Sequence, residues 1–376
     1  MANTLITTDV VAKLALPALL NSWVFAALVH KDYSKEYKKV GEDVRIRKPI
    51  TVTAIEFDGD LTGQWQNVTE EYITCSMDTI LTVPLKATAK DLTLEVQDFN
   101  EQFVMPSCQA LADAIDVKLA KLYKDIPYYG DCTGTTAIAD ITAIRKIMSD
   151  NKALQRNRYG VLSPLTFASL LNLSEFRDLE KTGETAVLRE ASLGRRFGYE
   201  LFENQNIQTH VTHASITADP AGTAAIAVVG ATSMVVSALG ADGTIYKGTI
   251  FAIAGDTQKY VVTADAAISG AAATISFDPA LKVATPLGTE VVTFKTTVTT
   301  SKENLFFHKN AFAMVSAPLE PPRGGAKGYN ISQYGIALSV VESYEHNLFE
   351  NRMTISILCG FKTLYPELAV RLYDAS

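Results

Sequence analysis

Cysteine is scarce in this chain: four occur in 376 residues, at 75, 108, 132 and 359. No two form a CxxC metal pair, and four are too few for a disulfide-built scaffold, so they read as reduced core thiols. Histidine is as sparse, with five at 30, 210, 213, 308 and 346, which leaves little material for a coupled acid–base site. Positive charge is also in deficit. Lysine and arginine number 34 against 41 acidic residues, a net charge of −7 and a pI of about 5.4, which excludes a basic protein that wraps nucleic acid. A run of membrane-spanning length is missing too. The best candidate, LALPALLNSWVFAALV at 14–29, is broken by Pro17, Asn21 and Ser22, and no lysine or arginine precedes Lys13. It reads as an apolar helix, opened by Thr8 or Asp9, that must bury its sides against something else in an assembly. Without export, the sequons at Asn67, Asn172 and Asn330 count as chance matches.

What is present is core material. Hydrophobic residues make up 47% of the chain, enough for two to three domains, and disorder as the main state is excluded. A mixed-charge run at 31–48 carries Lys35, Lys38, Lys39, Arg45, Arg47 and Lys48 among its basic residues. It reads as a solvated face or as a charged strap that docks on a neighbouring subunit. From Val44 the hydrophobic period changes to two and continues through ITVTAIEF. A turn-rich tip, DGDLTGQWQN, then leads into YITCSMDTILTVPL, and the whole reads as one long two-stranded ribbon that needs a larger body to lie across.

Between 98 and 124 the period becomes helical, with Val104, Cys108, Leu111, Ile115, Leu119 and Leu122 on one stripe. A helix of that length would span about 40 Å, with Pro106 marking a kink or the true first turn. Residues 131–205 mix helices with short strands: one helix ends at Asn151, and another begins where a strand turns through Ser163 and Pro164. The composition then shifts. Residues 206–300 hold six acidic residues and four lysines, with turn signals at Asp242-Gly243, Gly255-Asp256 and Ser269-Gly270, the pattern of a small all-β module, a sandwich or a barrel. Ordinary composition returns at Ser301. The simplest topology makes 206–300 an insertion, with the flanking segments sharing sheets with 85–205.

No Walker loop, GxSxG elbow, HExxH or GxGxxG after a strand occurs. His210 and His213 lack a third ligand. Asp58, Asp60 and Gly63 imitate the start of a calcium loop, but Thr69 stands where its bidentate glutamate belongs. PPRGGAKG at 321–328 has glycines and a lysine but no Lys-Ser/Thr step, and reads as a surface loop. Arg156, Arg158, Arg195 and Arg196 read as interface or surface arginines.

Several long blocks carry a resemblance. TLITTDVVAKLALPALLNSWVFAALVHKDYSKEYKKVGEDVRIRKP, LTLEVQDFNEQFVMPSCQALADAIDVKLAKLY, GETAVLREASLGRRFGYELFENQNIQTH, KGTIFAIAGDTQKYVVTADA, NLFFHKNAFAMVSAPLEPP and CGFKTLYPELAVRL follow one another along nearly the whole chain. In that order they resemble blocks of tailed-bacteriophage major capsid (coat) proteins of the podophage type with an inserted β domain. The resemblance implies an α+β capsid fold: an N-terminal arm at 1–40, an extended ribbon (E-loop) at 41–84, and a peripheral domain with the spine helix at 85–130 and 340–376. An axial domain is implied at 131–205 and 301–339, and the inserted β domain at 206–300.

The implied function is structural, not enzymatic. Copies assemble as hexamers and pentamers into an icosahedral shell around double-stranded DNA, made in the host cytoplasm and found in the virion. The implied partners are other copies, scaffolding and portal proteins, and DNA held by weak non-specific contact, with no membrane, cofactor or metal. A −7 subunit suits such a container, because tight binding would hinder filling and release. Charge on extended segments makes Lys35, Lys38, Lys39, Arg45, Arg47, Lys48, Asp58 and Asp60 the candidate subunit contacts. The alternatives are a cellular nanocompartment shell and a non-assembling enzyme with an accessory β module.

Overall fold

The structure, a computed structural model, describes residues 8–31, 43–48, 54, 56, 65, 71–88, 104–132, 137–177, 191–212, 221–240, 242–285, 288–295, 300–320, 322, 326–333, 335–348 and 350–374. The chain divides into two units, one made of Met1–Asn21, His30–Leu111 and Ala313–Leu364, the other of Ser22–Val29, Ala112–Phe312 and Tyr365–Ser376.

The first unit is organised by a five-stranded sheet in the order Phe312–Ala317, Glu350–Thr363, Ile336–Glu345, Lys327–Gln333, with Thr79–Thr88 also paired to Glu350–Thr363. A separate antiparallel ribbon joins Asp43–Lys48 to Glu71–Ser76. The single long ribbon expected from the sequence is therefore broken after Ser76. Thr79–Thr88 leaves it and runs antiparallel to Glu350–Thr363, from Thr79 opposite Cys359 to Thr88 opposite Glu350. The corner is made possible by Gly360, where any Cβ would collide with the Ser76 carbonyl oxygen, and it buries Cys75 and Met77.

The helix Thr8–Ser22 tolerates Pro17 and receives the Cys108 thiol on the Ala15 carbonyl at 3.3 Å. It stops at Ser22 instead of running to residue 29, and a separate short turn, Phe25–Leu28, follows. The expected long helix is present among the described residues as Met105–Ala120, about 24 Å, tightening into a 3₁₀ turn at Lys121–Asp125. Pro106 lies in its first turn, where the missing N–H is not needed. The expected residues 98–103 lie outside the described residues.

In the second unit a seven-stranded sheet runs Tyr129–Cys132, Ala369–Asp374, Thr300–His308, Arg158–Leu162, Tyr199–Glu203, Arg195–Arg196, with Thr209–Val211 also paired to Thr300–His308. Strand alternation gives it two faces. Phe306, Val370 and Leu372 point to a core shared with Ile141, Ile144 and Met148 of the helix Ile138–Asp150 and Phe167 and Leu170 of Pro164–Leu171. Asn151 ends the first helix, and the Ser163 hydroxyl accepts from the Thr166 amide to cap the second, with Pro164 in its first turn. Tyr373 points the other way and packs with Tyr129, Ile250 and Val261.

Ile250 and Val261 belong to a closed six-stranded barrel, Ser233–Ser237, Ala273–Asp278, Lys259–Val262, Ile250–Ile253, Val291–Phe294, Ala221–Ala224. Closure removes the sheet edges, and the interior is filled by Phe251 packed on Tyr260, Phe277 and Phe294 at 5.4, 5.5 and 5.9 Å between ring centres. The fold class is α+β.

Strand pairing departs from the expected division of 301–376. Phe312–Ala317 and Lys327–Gln333, expected with 131–205, lie in the sheet of Ile336–Glu345, while Ala369–Asp374, expected with 85–130, lies in the sheet of Arg158–Leu162. Alternation along a strand specifies its faces but not its neighbours, which are chosen by contacts distant in sequence.

Candidate assembly surface

In the described ribbon, Val44 stands opposite Cys75 and Ile46 opposite Ile73; one residue out of phase, Arg45 stands opposite Thr74 and Arg47 opposite Tyr72. Ile46 and Cys75 are buried, whereas Arg45, Thr74 and Tyr72 are exposed. The two-residue period thus sets Arg45 on the side of the ribbon that carries an exposed tyrosine. Lys48 is opposite Glu71, a cross-strand pair of opposite charge. Lys35, Lys38, Lys39, Asp58 and Asp60 lie outside the described residues. Trp65, from the stretch that includes the expected tip, is 80% exposed.

The near-motifs resolve into structural roles. His210 is buried, its Nδ1 3.1 Å from the Tyr123 hydroxyl and its Nε2 3.4 Å from Thr249 Oγ1. Burial first, then the positive charges of Arg371 and Lys124, push its pKa down to about 3, so it is a neutral core histidine. His213 lies outside the described residues, and no group of three or more potential metal ligands occurs among those described. Arg158 is buried and donates to the carbonyls of Leu154 at 2.8 Å and Ala153 at 2.7 Å, while Arg156 is exposed.

Two buried polar clusters were not foreseen. The Asp116 carboxylate, on the long helix, accepts from the backbone amides of Val24 at 3.1 Å, Phe25 at 3.3 Å and Ala26 at 3.2 Å, and from Asn204 Nδ2 at 2.8 Å. Burial raises its pKa, against the pull of these four donors. This carboxylate supplies the acceptors that the start of Phe25–Leu28 lacks, which is why the apolar segment breaks into two pieces.

The second cluster lies on the barrel side of the seven-stranded sheet. Arg371 and Glu303 are both buried, with Nη1 and Oε2 3.7 Å apart. Ser301 Oγ donates to Glu303 Oε1 at 2.8 Å, and Arg371 Nη2 donates to the Gly248 carbonyl at 2.9 Å. Burial pushes the Glu303 pKa up to about 7, with Arg371 and Ser301 opposing. A faint signal existed for these residues: Arg371 and Glu303 are the charges inside the apolar runs AVRLY and ENLFF. Asp116 carried none, because one acid on a long amphipathic helix looks like surface.

No protein-family model matches the sequence, and no curated protein is a significant match. Solved structures do match. A structure of Mycobacterium phage Che8 superposes with a TM-score of 0.52 at 14% identity, over 93% of this chain and 90% of the other. The chain has the tailed-phage capsid fold. The capsid of cyanophage P-SCSP1u matches at a TM-score of 0.49 and 12% identity over 90% and 84% of the two chains. A virus-like particle from Pyrococcus furiosus matches at 0.44 and 9% over 96% and 97%. Within the tailed-phage capsid fold, the Arg45 face and Trp65 are surface features and the Asp116 and Arg371 clusters are internal fastenings.

Proposed function

We propose that the chain is a major capsid subunit: a structural protein whose copies, as hexamers and pentamers, close into an icosahedral shell around packaged double-stranded DNA. In this reading 1–40 is the arm, 41–84 the ribbon laid over a neighbour, and 206–300 the inserted β domain. Shell formation takes place in the host cytoplasm with scaffolding and portal proteins, and the product is the virion capsid.

The observation that carries the reading is the capsid fold itself, matched over 93% of the chain. Two surface features support it. Trp65, 80% exposed, has the chemistry of an interface anchor awaiting a partner, and Arg45 and Tyr72 combine the residue types enriched at interface centres. The charge of −7 keeps contact with DNA weak.

Negative-stain microscopy with sedimentation, on the purified protein alone and co-expressed with proteins encoded beside it, tests this. Closed particles or regular tubes of megadalton mass are expected. A monodisperse species below roughly 200 kDa under every condition would overturn it.

A further inference from the structure

The barrel meets the seven-stranded sheet through charge, not through apolar packing alone. Glu303 and Arg371 are diagonal neighbours on adjacent strands, in a register that puts Glu303 opposite Tyr373 and Leu305 opposite Arg371, so both side chains share the face that carries Tyr373. From that face Arg371 reaches the barrel turn at the Gly248 carbonyl. Gly248 itself has φ +97° and packs against Lys124 of the 3₁₀ turn, and Lys247 forms an ion pair with Asp125 at 3.1 Å beside it. The guanidinium lies 5.5 Å from the ring centre of Tyr123 and 5.8 Å from that of Tyr373. His210, on the strand Thr209–Val211, bridges Tyr123 to Thr249 of the same barrel turn.

This contact is incompletely satisfied. At 3.7 Å the pair is too long for a hydrogen bond, and among the described residues Glu303 Oε2 and Arg371 Nε and Nη1 have no hydrogen-bond partner. A buried carboxylate left in that state is costly to keep ionised, and a buried imidazole between two hydroxyls and near the positive charge of Arg371 is costly to protonate. We infer that Glu303, Arg371 and His210 form a proton-balanced joint, in which two oppositely titrating groups keep the barrel's hold on the sheet nearly constant with pH.

The charged and titratable groups facing the joint are few. Arg371 and Tyr123 face Glu303; Arg371 and Lys124 face His210; the Lys247–Asp125 pair borders the turn. The two titrating groups act in opposite directions. Glu303 has a raised pKa when docked, about 7 against 4.5, so its contribution to docking is complete below 4.5 and lost as pH rises through 7. His210 has a lowered one, about 3 against 6.5, so its contribution is complete above 6.5 and lost as pH falls toward 3. Near pH 6 they oppose each other and docking is nearly level. Nothing in the joint depends on whether the chain forms a shell.

Hydrogen exchange followed by mass spectrometry on the full chain, corrected for the intrinsic pH dependence of exchange, tests the joint at pH 8 and 5.5. The reporters are 208–211 and 246–250, with the helix Ile138–Asp150, on the opposite face of the sheet, as control. In the wild type, opening at the reporters is expected to change less than about threefold. Glu303→Gln leaves His210 alone, and opening should become about tenfold more frequent at pH 5.5. His210→Gln leaves Glu303 alone, and opening should become about thirtyfold rarer at pH 5.5. The control should move in neither. If one variant does not fold, the other carries the test by itself. Reporter profiles that are the same in variant and wild type overturn the joint. So does wild-type exchange at 208–211 and 246–250 that occurs only together with the control at both pH values.

Discussion

The Asp116 carboxylate meets the Phe25 amide in a buried contact of 3.3 Å, the middle one of three successive backbone donors that it accepts. A single side chain on the long helix thereby holds 24–26 in place and ends one helical segment so that another can begin.

Removing that acceptor leaves three amides and the Asn204 side chain without it. Asp116→Ala should cost about 3–5 kcal/mol and expose the segment around Phe25 to protease, whereas Asp116→Asn, which keeps one acceptor, should cost less. Urea unfolding with limited proteolysis checks both. A loss below 1 kcal/mol for the alanine variant would contradict the clasp.

At the ribbon corner, Gly360→Ala places a methyl against the Ser76 carbonyl, a backbone atom that cannot swing aside. Overpacking of this kind costs about 1–3 kcal/mol. The thermal midpoint should fall, with the loss concentrated in faster hydrogen exchange at 71–88.

The Arg371–Glu303 pair should behave as buried ion pairs do when cut on one side. Arg371→Met alone should destabilise by about 3–5 kcal/mol, and adding Glu303→Leu should restore most of it, since an apolar pair needs no solvating partner. Chemical denaturation of the two single variants and the double gives the coupling directly.

His210 should remain neutral far below the usual histidine range. In the wild type its imidazole carbon shift is expected to stay in the neutral position down to about pH 4. Because its folded pKa is depressed, the stability it contributes is whole above 6.5 and declines as pH falls toward 3. Histidine NMR on the full chain decides this, and protonation of His210 near pH 6 would refute its buried role.

Reversing Arg45 and Arg47 to glutamate should leave the subunit's circular dichroism and unfolding midpoint nearly unchanged if the two are assembly contacts; the exposed charge of Arg45 contributes little to folding. Shell yield, or shell resistance to dissociation, should fall. Unchanged assembly would remove these two residues from the candidate contacts.

Most elements were legible because local rules wrote them. Ser163-Pro164 announced a capped helix start, Asn151 a helix end, and the alternation from Val44 to Arg47 a two-faced strand. The β character of 221–294 was visible in its turns and low charge, which left sandwich and barrel both open; strand pairing decided for the barrel. The candidate contacts were readable only as charges on extended segments, and of these the structure places Arg45 in the open and Arg47 and Lys48 by register.

By itself, the sequence determined the class of each segment: an apolar N-terminal helix, a period-two ribbon, an amphipathic strut, a charge-poor β module. These follow from side-chain spacing, which acts within a few residues. Only the tertiary structure decided that 79–88 abandons the ribbon for Glu350–Thr363, that Ala369–Asp374 joins the sheet of Arg158–Leu162, and that Asp116, Glu303 and Arg371 lie inside. Those outcomes depend on partners 62 to 280 residues apart, from Phe307 and Ala369 to Thr79 and Cys359. A charge is buried only where such distant partners converge to satisfy it.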